Sequence, residues 1–171
     1  MQIQIDSREH KKELNRITKQ FDSLNVGYFV SKLYVGDYMS LDNPRLVIDR
    51  KKDLQEIIGN VTTQHERFRN ELIRAQEYNI KLIVLCEHGN GITDLSDLIF
   101  WDNPRLRMGE WKMKDGHPVK ELKYPKATTG TQLYKSLRTI QDRYGVEFRF
   151  CDKNNTGAEI VRLLGGDRDG K

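Results

Sequence analysis

Two aspartates and a lysine, Asp37, Asp49 and Lys51, are the side chains of this sequence best suited to chemistry. Asp49-Arg50-Lys51 ends the apolar run Leu46-Val47-Ile48, which reads as a strand. Side chains alternate between the faces of a strand, so Asp49 and Lys51 share one face and Arg50 lies on the other. Setting a carboxylate and an ammonium side by side at the end of a buried strand costs desolvation free energy, which a chain carries where chemistry requires it. Between Asp37 and Asp49 lies Asp42-Asn43-Pro44, a turn-forming cluster that could join two antiparallel strands. With Asn43 at the centre of the turn, both aspartates are six residues from it and face each other directly. A slip of one residue would separate them. Carboxylates that close repel unless a cation lies between them, and their hard oxygens favour Mg²⁺ or Mn²⁺. Such a cluster suits phosphodiester hydrolysis: the acids hold the metal, the metal polarises phosphate and activates water, and Lys51 orients that water or neutralises developing charge. The alternative, on these three residues alone, is a surface hairpin whose charges are solvated.

Several elements must position these groups. Ile3 and Ile5 alternate with polar residues in a short strand ending at Asp6, and Leu14, Ile17, Phe21 and Leu24 give a helix over residues 9–24. Tyr28-Phe29-Val30 opens a strand after Gly27, and after the hairpin a helical turn near Asp53–Ile58 is stopped by Gly59-Asn60. Thr63 caps a longer helix from Gln64 to Tyr78, with Glu66 in the capping-box position. The apolar run from Ile80 to Cys86 reads as a central strand. Gly89-Asn90-Gly91 is a turn, and Asp94 to Phe100 a short helix. Pro104, Pro118 and Pro125 mark the stretch around them as a loop or loose hairpin. A helix with Leu133, Leu137, Ile140 and Tyr144 on one face follows, then a strand over 146–150, a helix over 156–164, and a frayed tail over 165–171. Strands mixed with helices, without a repeat or linker, give a single domain over 1–164 with an α/β sandwich around a mixed sheet.

The chain has 171 residues, 37% of them hydrophobic and 32% charged, with a net charge of +4. No apolar run has the length of a membrane span, and Met1-Gln2-Ile3-Gln4 does not read as a signal peptide. Cys86 and Cys151 each end an apolar run, as buried free thiols do, and neither has a partner at zinc-ligand spacing. Between Arg105 and Lys126 basic residues outnumber acidic ones and are interleaved with Trp111 and Tyr124. That composition fits nucleic-acid backbone and unstacked bases, or a solvated irregular loop. Gln64 and Arg67, at a helix start, could meet phosphate. His65 lacks the second histidine of a zincin motif, and His10, following Arg8-Glu9, reads as a surface residue or, alternatively, one that approaches the same site. Lys123, Lys126 and Lys135 suit electrostatic grip rather than chemistry.

Three linked motifs carry a family resemblance: Ile5-Asp6-Ser7-Arg8-Glu9 at a strand end, Gly36-Asp37-Tyr38, and Asp49-Arg50-Lys51. They resemble the nuclease domain of the XPF family, structure-selective DNA endonucleases with a restriction-endonuclease-like core. The resemblance is close over residues 2–88 and looser beyond. It implies a mixed central β-sheet flanked by helices, metal ligation by Asp37, Asp49 and Asp6, and Lys51 as the catalytic lysine. Arg8 and Glu9 would organise the metal or the phosphate, and Arg50 would support the same region. Two positions depart from the pattern: Asp49 stands where the family carries glutamate, and Gln55 stands at the trailing acid, with Glu56 one residue later. The helicase and tandem helix-hairpin-helix parts of longer members are not in this sequence, as in short phage and prophage forms, which implies the cytoplasm of a bacterium or an infected host. The resemblance implies Mg²⁺ or Mn²⁺ as cofactor, branched or flapped DNA as substrate, a homodimer, and a replication or recombination protein as a further partner. Two other readings share these residues: a non-catalytic DNA-binding partner within a nuclease complex, and a four-way junction resolvase.

Overall fold

Val47, Leu82, Val84 and Cys86 point to one side of a sheet, and Ile48, Ile83 and Leu85 to the other. Strands apolar on both faces need helices on both faces, and the chain supplies them. The computed structural model describes residues 1–89 and 91–165. The strands are β1 (Gln2–Ile5), β2 (Gly27–Val30), β3 (Tyr38–Ser40), β4 (Asn43–Lys51), β5 (Lys81–Glu87), β6 (Gly109–Lys114), β7 (His117–Leu122) and β8 (Glu147–Cys151). The α-helices are α1 (Lys11–Ser23), α2 (Leu54–Val61), α3 (His65–Glu77), α4 (Gly130–Tyr144) and α5 (Thr156–Gly165). Six strands form a mixed sheet in the order β2-β1-β3-β4-β5-β8, with β3 antiparallel to both its neighbours and the other pairs parallel.

Helices α1 and α5 cover one face through Ile17, Phe21, Ile160 and Leu164. Helices α2, α3 and α4 cover the other through Leu54, Ile57, Phe68, Leu72, Leu133 and Leu137. Each fully buried side chain of this size contributes about 1.5–3 kcal/mol, so both layers are held chiefly by apolar burial. Because β1 and β4 run the same way with β3 reversed between them, the ends of β1 and β4 and the start of β3 meet at one edge. That edge carries Asp6, Asp37 and Asp49-Arg50-Lys51.

Several expectations need correction. The β3–β4 turn is Leu41-Asp42, with Ser40 paired to Asn43, rather than a turn centred on Asn43. Helix α2 continues through Gly59-Asn60 to Val61, because Ile57 and Ile58 pack into the core beneath it. The cap of α3 is Gln64 without a side-chain bond, while the Thr63 hydroxyl donates to the Gly59 carbonyl instead. The loose hairpin is a regular one, β6–β7, closed by Asp115-Gly116 with φ of 51° and 79°. Both values are left-handed, as the tight hairpin turn favoured by Asp-Gly requires. Cys86 is buried and Cys151 half-buried, both free. Asn90, in the expected Gly89-Asn90-Gly91 turn, and residues 166–171 of the expected tail lie outside the described residues, while Gly165 ends α5. No helix among the described residues is long and apolar enough to cross a membrane.

Candidate active site

Tyr38 pairs with Ile48 and Met39 with Val47, and Asp37, just before β3, donates its N–H to the Ile48 carbonyl at 2.8 Å, which sets it beside the end of β4. A register shift between Met39 and Ser40 absorbs the extra residues of β4, and Asp37 still lies close enough to Asp49 to feel its charge despite the different turn. Gly36 makes the approach possible. Its φ is +64°, and a Cβ there would lie 2.5 Å from Val47 Cγ1 and 2.9 Å from the Ile48 carbonyl oxygen. Only glycine takes that backbone and that clearance at little cost. Asp37 is then fixed by the Arg50 backbone N–H, which donates to its Oδ2 at 2.8 Å.

Lys51 and Asp49 share a face, as alternation requires, and Lys51 Nζ stands 2.7 Å from each Asp49 oxygen. Only Oδ1 is oriented to accept a hydrogen bond, and the buried Oδ2 makes none. A third acid joins from α3. Glu71 Oε1 accepts the Gly36 N–H at 3.1 Å, and Glu71 feels the charge of Asp49. Glu71 is absent from the sequence expectations, although its spacing gives a signal. Phe68, Leu72 and Ala75 form the buried stripe of α3, and half-buried Glu71 borders it, where a carboxylate needs a reason to be.

The electrostatics follow from three acids sharing one ammonium. Burial first, and then the charges of Asp49 and Glu9, push the Asp37 carboxyl well above its usual range despite Lys51. Burial and Asp49 push Glu71 the same way. Burial pulls Lys51 down, but Asp49 and Asp37 outweigh it and hold the ammonium above the ordinary lysine range. The group is a fixed cation rather than a proton acceptor. Among the described residues no three His, Cys, Asp or Glu side chains form a ready-made metal cage. Mg²⁺ does not need one, since it commonly takes one or two carboxylates, keeps waters and completes its shell with substrate phosphate. Asp37 and Asp49 fit that donor set: burial and the charge of Asp49 raise the proton affinity of Asp37, and the buried Asp49 Oδ2 accepts no hydrogen bond.

These groups form the floor of a cleft of about 510 Å³. Arg8, Glu9, Asp37, Asp49, Arg50 and Lys51 all line it, joined by Glu56, Arg67 and Glu71. Exposed Arg8, Lys12, Lys52 and Arg67 make a basic rim around the acidic floor, and His10 stands at the same rim. Asp6 departs from the expected role. It is fully buried and does not line the cleft; Arg8 N and Nε donate to its Oδ1, and Arg8 Nη2 and Leu33 N to its Oδ2. With both oxygens doubly occupied it anchors Arg8 and is not placed as a metal ligand. Burial alone would raise this carboxyl, but the Arg8 and Leu33 donors bring it below the usual range. Arg50 lies on the opposite face, as expected, where its guanidinium meets Glu9 at 3.1 and 3.3 Å; Tyr38 Oη also donates to Glu9 at 2.7 Å.

The trailing acids are helix caps. Asp53 accepts the Glu56 N–H at 2.8 Å as the N-cap of α2, and Glu56 accepts the Lys52 N–H at 3.0 Å. Gln55 turns away and donates to Asn103 Oδ1 at 2.8 Å. A model of the ERCC4 domain matches residues 5–164. The chain belongs to the ERCC4-domain family. The match begins at the Ile5–Glu9 motif and runs through β8 into α5, well past the stretch where the sequence motifs end. Among solved structures, XPF from Aeropyrum pernix aligns with a TM-score of 0.61, and XPF from Aeropyrum pernix in complex with DNA with 0.60. Both are 17% identical, over 96% of this chain and 63% of theirs, so this chain spans less than two thirds of their length. The likeness is one of fold, and it agrees with the expected mixed α/β, restriction-endonuclease-like core. No curated protein matches the chain.

Proposed function

We propose that this chain is a divalent-cation-dependent endonuclease that hydrolyses phosphodiester bonds in branched or flapped DNA. The observation that carries the reading is the cluster on the cleft floor, where Asp37, Asp49 and Glu71 gather around the buried cation Lys51 beneath a basic rim. Asp37 and Asp49 would hold Mg²⁺ or Mn²⁺. When bound, that ion polarises the scissile phosphate and lowers the pKa of the attacking water. Lys51, clamped by Asp49, presents a positioned positive charge to the oxygens on which negative charge builds during displacement. Arg8, Lys12, Lys52 and Arg67 take flanking phosphates and set the strand in register. Glu9 holds Arg50 and Tyr38, which keeps the β1 end, β3 and β4 in fixed relation beneath the reacting atoms. The neighbouring XPF structure bound to DNA supports DNA as the partner. A homodimer and a partner that delivers the chain to replicating or recombining DNA belong to the same proposal.

The test is a panel of end-labelled flap, fork, bubble, four-way junction and linear duplex DNAs, incubated with Mg²⁺ and then with EDTA. The expected result is Mg²⁺-dependent cleavage of the branched substrates ahead of linear duplex. DNA binding with no metal-dependent product would overturn the reading in favour of a non-catalytic DNA-binding partner. Paired symmetric cuts confined to the four-way junction would replace it with a resolvase.

A further inference from the structure

The β6–β7 hairpin leaves the fold as a two-stranded ribbon whose residues, apart from half-buried Gly109, are all exposed. A ribbon of this size is marginal by itself in water, so large apolar side chains on it call for something to cover them. Directly opposed residues share a face. Trp111 pairs with Lys120, Met113 with Pro118 and Gly109 with Leu122, so one face carries Trp111, Met113 and Leu122 with a single charge, Lys120. Trp111 and Met113 are 69% and 71% exposed. No aromatic ring or cation among the described residues stacks on Trp111, and Lys120 makes no ion pair there. The other face is charged, and its Lys112 pairs with Glu121.

The root of the ribbon is tied to the catalytic edge. Asn103 is buried, accepts from Gln55 of α2 and donates to the Thr128 carbonyl at 2.7 Å, clamping both stalks to the helix that follows Lys51.

We propose that this ribbon is an arm on which Trp111 stacks an unpaired base of branched DNA while Lys120 meets the adjoining phosphate. The proposal rests on the reading of the chain as an enzyme of branched DNA, where unpaired nucleotides adjoin duplex. The ligand is argued from charge and shape together. A free indole face beside an unpaired ammonium matches a nucleobase and its phosphate.

The experiment uses the full chain in EDTA, with tryptophan emission and anisotropy followed as oligothymidylate or blunt duplex is added. The chain has two tryptophans, so loss of Trp111 identifies the source of any quenching. Oligothymidylate is expected to quench the wild-type chain. Trp111→Ala should weaken oligothymidylate binding about tenfold, the range found for one stacked base, and leave duplex affinity within about twofold. Trp111→Phe should bind nearly as well as wild type but without the quenching, a result that a misfolded variant cannot give. Equal oligothymidylate affinity in wild type and Trp111→Ala would overturn the proposal. So would conversion of a dimer to a monomer by Trp111→Ala, which would make the ribbon a contact between copies. Wild-type cleavage of branched DNA is scored separately, so an inert arm on a cutting enzyme and a working arm on a non-cutting chain are told apart.

Discussion

The end of β4 sends charge to both faces of the sheet, and the two faces treat it differently. On the α1–α5 side, Arg50 meets Glu9 and stands 3.4 Å from Glu87, while Arg16 reaches Glu87 at 2.5 Å and the Thr156 hydroxyl donates to it at 2.8 Å. Cations and carboxylates balance there, although Arg50 Nη1 and Glu87 Oε2 lack hydrogen bonds. On the α2–α3 side Asp37, Asp49 and Glu71 gather around Lys51, and Asp49 Oδ2 meets that ammonium without accepting a hydrogen bond. Both faces hold buried charge, so burial alone does not mark a site. The imbalance does, because a surplus of negative charge in low dielectric calls for a cation from outside.

The contrast breaks most sharply by substitution. Asp49→Asn or Lys51→Ala should lower the single-turnover cleavage rate by about 10²–10³-fold, as loss of a positioned electrostatic group does, while circular dichroism shows the fold intact. Full activity in either purified variant would remove the distinction between the faces. Glu87→Ala should do the reverse. Arg50 keeps Glu9 and Arg16 keeps Glu13, so losing the shared carboxylate should cost about 1.5–3 kcal/mol in urea unfolding, and the fraction that remains folded still cuts. A Glu87→Ala variant as stable as wild type would show that its ring of ion pairs contributes nothing to the fold.

Much of this was legible in the sequence. Alternation along Leu46–Lys51 put Asp49 and Lys51 on one face and Arg50 on the other, and the Gly36-Asp37 and Asp49 spacing brought the two aspartates together. The turn centred on Asn43 is not the cause, since the turn lies at Leu41-Asp42 and a register shift between Met39 and Ser40 takes up the extra residues of β4. Such shifts leave no mark in composition. Asp6 read as a ligand because sequence shows a carboxylate but not the Arg8 and Leu33 donors that saturate it. Glu71 borders the buried stripe of α3 in the spacing of its residues, but the Gly36 N–H that it accepts leaves no mark in sequence. The tight hairpin was announced by Asp115-Gly116 and obscured by the prolines around it.

Smaller effects sharpen the same comparison. Glu71→Gln keeps an acceptor for the Gly36 N–H but removes one negative charge from the floor. It should weaken Mn²⁺ binding about 10–100-fold, as outer-shell changes do, with little loss of fold; calorimetric titration reads both. The pH dependence of the metal-free chain has a definite sign. Asp37 and Glu71 bind protons more tightly folded than unfolded, so the folded chain carries extra protons from about pH 4 up to their raised pKa values. Their contribution to stability therefore falls as pH rises through that window. Thermal melts in EDTA should show this decline, and Mg²⁺ should restore more stability at the upper end than at the lower. A metal-free stability that climbed steadily across that range would count against a strained acidic floor.

The most direct measurement counts Mn²⁺ by paramagnetic resonance on the chain bound to flap DNA with uncleavable phosphorothioate linkages. Wild type should retain bound Mn²⁺, and the doubly substituted Asp37→Asn, Asp49→Asn chain should hold the DNA but release the ion. Equal Mn²⁺ retention by the two proteins would contradict the assignment of these carboxylates as the cation's ligands.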